Sequence, residues 1–374
     1  MAKKIIVLSG VNMVEGGILT IYQDFIREFS KLKEYKVICL VNSKKLFDKN
    51  NNVKFLEFPK TKKSWLKRVY FEYVTSWFLS KRISPFIWIC LHDMTANTTN
   101  TNFKYVYCHN PSPFYRSSIR EFKLDKKFYL FTKFYKKLYS INIRKNTAVI
   151  VQQEWIADFF EKEFKLDNVY VSRPENNTFS DKKEMKDILV SEKINLIYPA
   201  IPRVFKNFEV LIEALEILKN SNIELYNSIT LTLTFNKGFN KVADDIINKA
   251  SASGIDNICF SGVLSKDEIN NLYNKENTLL VFPSKLETWG LPLSESKEMG
   301  IPILVASLSY ARETLGEYKN VNFFDPNSAE DLIEKLKLSM SGIFEGNNFI
   351  PSSKVKKNWK ELTNSILNGD KNVK

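Results

Sequence analysis

The 374-residue sequence contains only 12 glycines, 12 prolines, four cysteines and two histidines. So little Gly and Pro excludes long low-complexity linkers and collagen-like repeats. No window approaches the roughly 20 apolar residues needed to span a bilayer. The longest candidate, Phe86–Leu91, is strand-length. Near the start, the apolar run Ile5–Leu8 is too short for the core of a secretory signal, and no small-residue cleavage site follows it, so a cytoplasmic protein is expected. Cys39, Cys90, Cys108 and Cys259 all fall in apolar, strand-like runs with neither C-x-x-C nor zinc spacing. They are expected to be small buried thiols. No Asp-x-Asp follows an apolar strand, and Asp244-Asp245 lies inside a helical pattern. No catalytic divalent metal is therefore expected.

What is present is ordinary globular material: 44% hydrophobic and 26% charged residues. That excludes a mainly disordered chain or a coiled-coil rod. The length suits two domains, possibly three. The net charge of +13 is unevenly spread. Residues 1–150 hold 28 Lys+Arg and 10 Asp+Glu, a net of +18; residues 151–374 hold 27 and 32, a net of −5. Two segments carry most of the excess, Pro59–Arg82 and Lys123–Lys145, and both interleave cations with Phe, Tyr, Trp and Leu at helix-compatible spacing. Three readings fit: a solvated helix face backed by a core stripe, docking on an anionic membrane surface, or nucleic-acid binding.

Short apolar runs alternate with helical patterns along almost the whole chain. Strands are expected at Lys4–Ser9, Lys36–Asn42, Val53–Phe58, Pro85–Leu91, Lys104–Cys108, Ala148–Gln152 and Val169–Ser172. A second series follows at Asn195–Pro199, Ile229–Phe235, Asn257–Ser261, Leu279–Pro283, Ile303–Ala306 and Asn322–Phe324. Helices between them include Ile18–Leu32, Asn207–Asn220, Phe239–Ser253, Lys266–Asn274, Leu291–Met299 and Ala329–Ser339. This alternation predicts α/β architecture with parallel sheets, in two Rossmann-like domains. The expected domains are 1–175 and 194–353, joined by a polar linker at 176–193, with an amphipathic segment at 354–367 that packs back on the first. Ligands in such sheets bind beyond the carboxyl ends of the strands.

The most informative stretch is Phe282–Ser307, FPSKLETWGLPLSESKEMGIPILVAS. A strand ends at Pro283, a loop carries Glu287, and Trp289-Gly290-Leu291-Pro292 opens a helix with Pro near its start. Amide groups near Gly290 and Leu291 form a site for an anion such as phosphate. Glu287 can accept hydrogen bonds from a polyol, and Glu295 can accept two hydroxyls of a ribose. In the first half, the strand KIIVLSG leads into Val14-Glu15-Gly16-Gly17 and a helix, where Gly-Gly lets backbone approach a ligand closely.

The sequence here resembles the retaining GT-B glycosyltransferases of the group 1 or GT4 type. The likeness rests on this Glu-x7-Glu stretch and on AIPRVFKNFEVLIEAL, FSGVLSKDEINNLY and NFFDPNSAEDL. It implies two Rossmann-like domains facing a cleft. It also implies that Glu287 contacts the donor sugar and Glu295 the nucleotide ribose. Arg203 and Lys206, between a strand and a helix, are then the cations that neutralise the donor diphosphate. The backbone around Val263 faces the nucleobase, and the loop with Gly16 and Gly17 borders the donor diphosphate and acceptor. His109, at a strand end in KYVYCHNPSPFY, matches the family histidine that contacts the donor sugar; His92, in CLHDM, is expected to be structural. With Trp289, Gly290 and Leu291 these residues make the expected site.

The expected reaction moves a hexose or deoxyhexose from a nucleotide diphosphate sugar to a lipid-linked or surface-polysaccharide acceptor. The donor is a substrate, and no cofactor or metal is expected. The strongly basic first half points to an anionic membrane surface, with the protein peripheral on its inner face. The basic segments hold no recognisable nucleic-acid motif, so no nucleic-acid partner is expected. The competing functions are a nucleotide-sugar epimerase or soluble-acceptor synthase on the same fold, and a non-catalytic basic membrane- or nucleic-acid-binding protein.

Overall fold

The computed structural model describes residues 3–48, 50–173, 193–356 and 358–369. Its strands are β1 (Lys4–Ser9), β2 (Tyr35–Val41), β3 (Val53–Glu57), β4 (Ile87–Cys90), β5 (Phe103–Cys108), β6 (Ala148–Val151) and β7 (Val169–Ser172). They continue with β8 (Ile194–Tyr198), β9 (Ile229–Leu233), β10 (Ile258–Phe260), β11 (Thr278–Phe282) and β12 (Ile303–Ala306). The last are β13 (Glu317–Tyr318), β14 (Val321–Phe324), β15 (Asn347–Asn348) and β16 (Val355–Lys356). Every strand and helix named above from sequence is found with ends within two residues of expectation, except the segment after 353. There the chain first makes β16, and the helix begins only at Trp359, where the Asn358 side chain accepts from the Glu361 amide.

The chain forms two compact units. One comprises Met1–Pro113, Lys133–Asn176 and Ser352–Lys374; the other comprises Phe114–Thr132 and Asn177–Pro351. Residues 114–132 thus group with the second unit rather than with an expected domain 1–175. The expected linker at 176–193 lies, but for Lys193, outside the described residues.

In the first unit the strand order is β16-β7-β6-β5-β4-β1-β2-β3, and all pairs are parallel. The central strands β4 and β6 are buried along their whole length, as expected for a sheet covered on both faces. The chain runs outward from β1 to β3, then returns to start β4 beside β1. The order reverses there, which makes the β1/β4 ends the switch point of this sheet. Helix Gly16–Ser30 buries Ile21, Tyr22, Phe25, Ile26 and Phe29 on one side. Helix Trp359–Asn368 completes that core: the Trp359 ring lies 5.0 Å from Phe25, and Tyr105 donates to the Ile366 carbonyl at 2.9 Å.

The second unit holds a six-stranded parallel sheet in the order β10-β9-β8-β11-β12-β14. Its switch point lies between β8 and β11. A small antiparallel pair, β13 with β15, stands apart. Cys39, Cys90 and Cys108 are buried as expected, but Cys259 is exposed. Its strand, β10, is three residues long and sits at the sheet edge, so only one neighbour covers it. Among the described residues no helix is long and apolar enough to cross a membrane.

Candidate active site

At the switch point of the second sheet, the loops after β8 and β11 are stitched together. Tyr198, the last residue of β8, donates its hydroxyl to the Lys206 carbonyl at 3.0 Å. Asn207 takes a left-handed backbone, φ +56°, and its amide reaches the carbonyls of Pro283 at 3.1 Å and Pro326 at 2.8 Å. The Lys285 amide donates to the Phe205 carbonyl at 2.8 Å. Tyr310 closes the set by donating to the Ser284 carbonyl at 2.6 Å.

This framework brings Lys206 onto Glu287: the ammonium donates to Glu287 Oε1. Both side chains are mostly covered, at 15% and 14% exposure, and Lys206 Nζ also lies 5.5 Å from the Phe282 ring centre. Burial, and then the Glu287 charge, push the Tyr198 and Tyr310 hydroxyls well above their usual range, so both stay neutral donors. An ion pair sheltered this far from water is specific in geometry and costly to break from one side.

Three residues beyond Glu287, Gly290 adopts φ +79° and caps helix Leu291–Glu298. A Cβ at Gly290 would meet Leu293 Cδ1 at 3.2 Å, so conformation and space both favour glycine. The first-turn amides of a helix have no partner within it and favour an anion. Trp289 donates its indole N–H to Ser294 Oγ at 2.8 Å, while its carbonyl accepts from Thr314. Leu291 is half exposed. Glu295 lies in the second turn of this helix, and burial, opposed by Lys266, raises its carboxyl pKa.

The other two expected residues of this unit lie outside that ion pair, although the Arg203 carbonyl accepts from the Lys206 amide at 3.0 Å. Arg203 is exposed and pairs with Asp125 at 3.4 Å, so only Lys206 of the two cations joins Glu287. Val263 is 72% exposed beyond β10, at the sheet edge.

The first unit has its own group at its switch point. Gly16, φ +63°, and Gly17 open the helix after β1, and a Cβ at either would meet nothing within 4 Å. At Gly17 neither backbone nor packing calls for glycine. His92 and His109 follow the paired strands β4 and β5, and their rings meet edge to face at 5.0 Å. Between them lies Asp93, buried and in a left-handed conformation, φ +67°. Its Oδ1 accepts from the His109 amide at 2.9 Å, the Asn110 amide at 3.1 Å and the Tyr139 hydroxyl at 3.0 Å. Its Oδ2 accepts from Tyr135 at 3.1 Å. Burial alone would raise the Asp93 pKa, but the His109 and His92 rings, Arg68 and the His109 amide together hold it well below the carboxylate range. Burial and then Arg68 push His92 well down, so its ring is neutral.

His92, Asp93 and His109 offer ligand atoms within 4.8 Å of one another, a composition able to hold a metal ion. Four donors already occupy the Asp93 carboxylate, and a guanidinium charge acts on it. The group therefore fits an anion held by its neighbours better than a site awaiting a dication. Sequence reasoning singled out His109 and passed over Asp93, Tyr135 and Tyr139. One signal was available: β4 and β5 are adjacent parallel strands, so the residues after each must meet.

The two parallel Rossmann-like units have the GT-B fold of solved glycosyltransferases. Residues 180–352 match the family described as glycosyl transferases group 1. No curated protein matches the chain in sequence. Among solved structures, the chain is similar to a sucrose-phosphate synthase from Thermosynechococcus elongatus, with a TM-score of 0.58 and 13% identity over 91% of this chain and 90% of that one. It is similar to the lipopolysaccharide outer core galactosyltransferase WaaB, with a TM-score of 0.57 and 14% identity over 91% and 90%. It is also similar to HepE from Anabaena, solved in complex with UDP and glucose, with a TM-score of 0.51 and 11% identity over 88% of each chain.

Proposed function

We propose that this chain is a glycosyltransferase that moves a hexose or deoxyhexose, with retention and without a metal, from a nucleotide diphosphate sugar to a lipid-linked or surface-polysaccharide acceptor. The observation that carries the reading is the Lys206–Glu287 pair beside the Gly290 helix start, at the switch point of the second sheet. Lys206 and the helix amides act on the diphosphate, where negative charge grows as the nucleotide leaves. Glu287 accepts from the sugar hydroxyls, and the half-buried Glu295 accepts from the ribose. In the first unit, His109 contacts the sugar, and Gly16 and Gly17 let backbone approach the diphosphate. Arg203 and the backbone at Val263 act at the edge of the donor site, on diphosphate and base. Trp289 and Leu291 frame the helix start. The excess of cations in residues 1–150 favours a peripheral position on an anionic inner membrane face, where a lipid-linked acceptor lies.

The test is a panel of nucleotide sugars offered with lipid-linked glycan acceptors, read as release of nucleotide diphosphate. One donor is expected to give acceptor-dependent release. Silence across the whole panel, with acceptor present, overturns the reading.

A further inference from the structure

Helix 65–83 of the first unit, made of Trp65–Tyr70, a π segment Phe71–Thr75 and Ser76–Ile83, is amphipathic in the inverted sense. Its buried residues are Arg68, Phe71, Glu72, Ser76 and Ser80, at 6%, 2%, 4%, 0% and 0% exposure, so all but Phe71 are polar. Its outer surface carries Leu66, Tyr70 and Phe78 at 72%, 61% and 61%, with Trp65 at 48%. A helix on a water-soluble surface is arranged the other way round.

The inversion is built into the backbone. Residues four apart overshoot one α-helical turn by about 40°, so three such steps would swing the polar stripe about 120° around the helix. The π segment holds more residues per turn and absorbs that drift. Asn97 secures it, donating its amide to the Glu72 carbonyl at 2.9 Å and its side chain to the Tyr73 carbonyl at 3.3 Å. The inner stripe is anchored too: Arg68 donates to the His92 carbonyl, and Ser80 Oγ accepts from the Thr99 amide at 2.9 Å. The apolar face is therefore held outward.

The charges around it are mostly positive, with Lys62 paired to Glu15 at 2.9 Å. From residue 60 to 82 every exposed Lys, Arg, Asp or Glu is a cation: Lys60, Lys62, Lys63, Lys67, Lys81 and Arg82. The single acid, Glu72, is buried. Beside the helix start lies a groove of about 610 Å³, walled by Phe58, Pro59, Leu66, Tyr70 and Phe71. Lys60 and Lys67 stand on its lining as well, with Glu57, whose carboxylate is engaged by the Lys44 amide at 2.8 Å.

We propose that helix 65–83 lies in the plane of an anionic phospholipid surface, with Leu66, Tyr70 and Phe78 in the acyl boundary and one lipid chain seated in the groove. Lys60 and Lys67 then meet the phosphate of that lipid. The charge pattern selects the occupant: a second copy of this chain would bring a mostly cationic face against its like, whereas an anionic bilayer supplies hydrocarbon and counter-charge together. The proposal rests on the membrane-side reading above and goes beyond it, because cations alone adsorb to a surface without inserting.

The experiment compares the wild type with the triple variant Leu66→Ser, Tyr70→Ser, Phe78→Ser by flotation with vesicles containing about 30 mol% phosphatidylglycerol. The triple variant should lose about tenfold or more in partition while keeping its melting temperature and its nucleotide-diphosphate binding. Lipids brominated along the chain should quench the wild type, and Trp65→Phe should remove part of that quenching. Wild-type flotation that the triple variant retains in full overturns insertion and leaves charge-driven adsorption standing. No wild-type flotation overturns both, while acceptor-dependent donor turnover still tests the transferase reading separately. A lipid-free dimer that the triple variant abolishes assigns the face to self-association and overturns the proposal.

Discussion

Lys206 reaches across 81 residues of sequence to donate to Glu287, because the strands that precede them are paired neighbours at a reversal of strand order. The ammonium is thus positioned before any diphosphate arrives. Lys206→Ala should lower kcat by about 10² or more, the scale for losing one charge-stabilising donor, while acceptor KM changes little. Steady-state kinetics with the identified donor checks this; unchanged turnover would remove Lys206 from the reaction.

Glu295→Ala should weaken nucleotide-diphosphate binding about tenfold or more, since a hydrogen bond to a charged group contributes about 1.5–3 kcal/mol. The raised Glu295 pKa adds a pH signature. The carboxylate is the acceptor, so affinity should fall as pH drops through that raised value, at higher pH than an ordinary Glu would show. Glu295→Gln should flatten the profile. Isothermal titration across pH measures both effects.

Asp93 and Glu72 should push stability in opposite directions with pH. The Asp93 pKa is depressed in the folded state, so its contribution is present above the unfolded value of 3.8 and is lost as pH falls. For Glu72, burial outweighs Arg68 and raises the pKa from 4.5 to about 7. Its folded form is favoured when protonated, so that contribution is full below 4.5 and is lost as pH rises through about 7. Glu72→Gln removes this dependence and should gain on the order of 2 kcal/mol relative to wild type between pH 5 and pH 8. Asp93→Asn should instead destabilise at neutral pH. Denaturant melts at several pH values decide, and a Glu72→Gln advantage that does not grow with pH contradicts the assignment.

Trp359→Ala should cost about 3–5 kcal/mol, because the ring is buried against Phe25 and Tyr107 in the first-unit core. The loss should show as a lower denaturant midpoint. Donor binding by the second unit, measured below that midpoint, should persist.

The donor-side elements could be read from the sequence because they are local. Glu287, Gly290 and Glu295 lie within nine residues, and their spacing is set by one strand, one loop and one helix. The strands were readable because parallel sheets covered on both faces are written as continuous apolar runs. The Asp93 group was not, since its parts come from residues 68, 93, 109, 110, 135 and 139 on separate elements. In CLHDM a buried, fourfold-bonded aspartate looks like any loop acid. The inverted helix was hidden for a related reason: basic and aromatic residues at helical spacing do not reveal which face turns inward. Cys259 differed from expectation because exposure at a sheet edge depends on neighbours distant in sequence, as does the carboxylate that Arg203 pairs with.

The return of residues 352–369 to the first unit has a consequence for biosynthesis. The sheet that starts with β1 is the first to leave the ribosome and the last to be finished. Its edge strand β16 and the helix bearing Trp359, Leu362 and Ile366 are made only after the whole second sheet. During that interval Phe25, Tyr105 and Tyr107 lack the cover they have in the finished fold. The second unit, complete by residue 351, can fold while the first still waits. In this chain the order of synthesis and the order of completion run opposite ways.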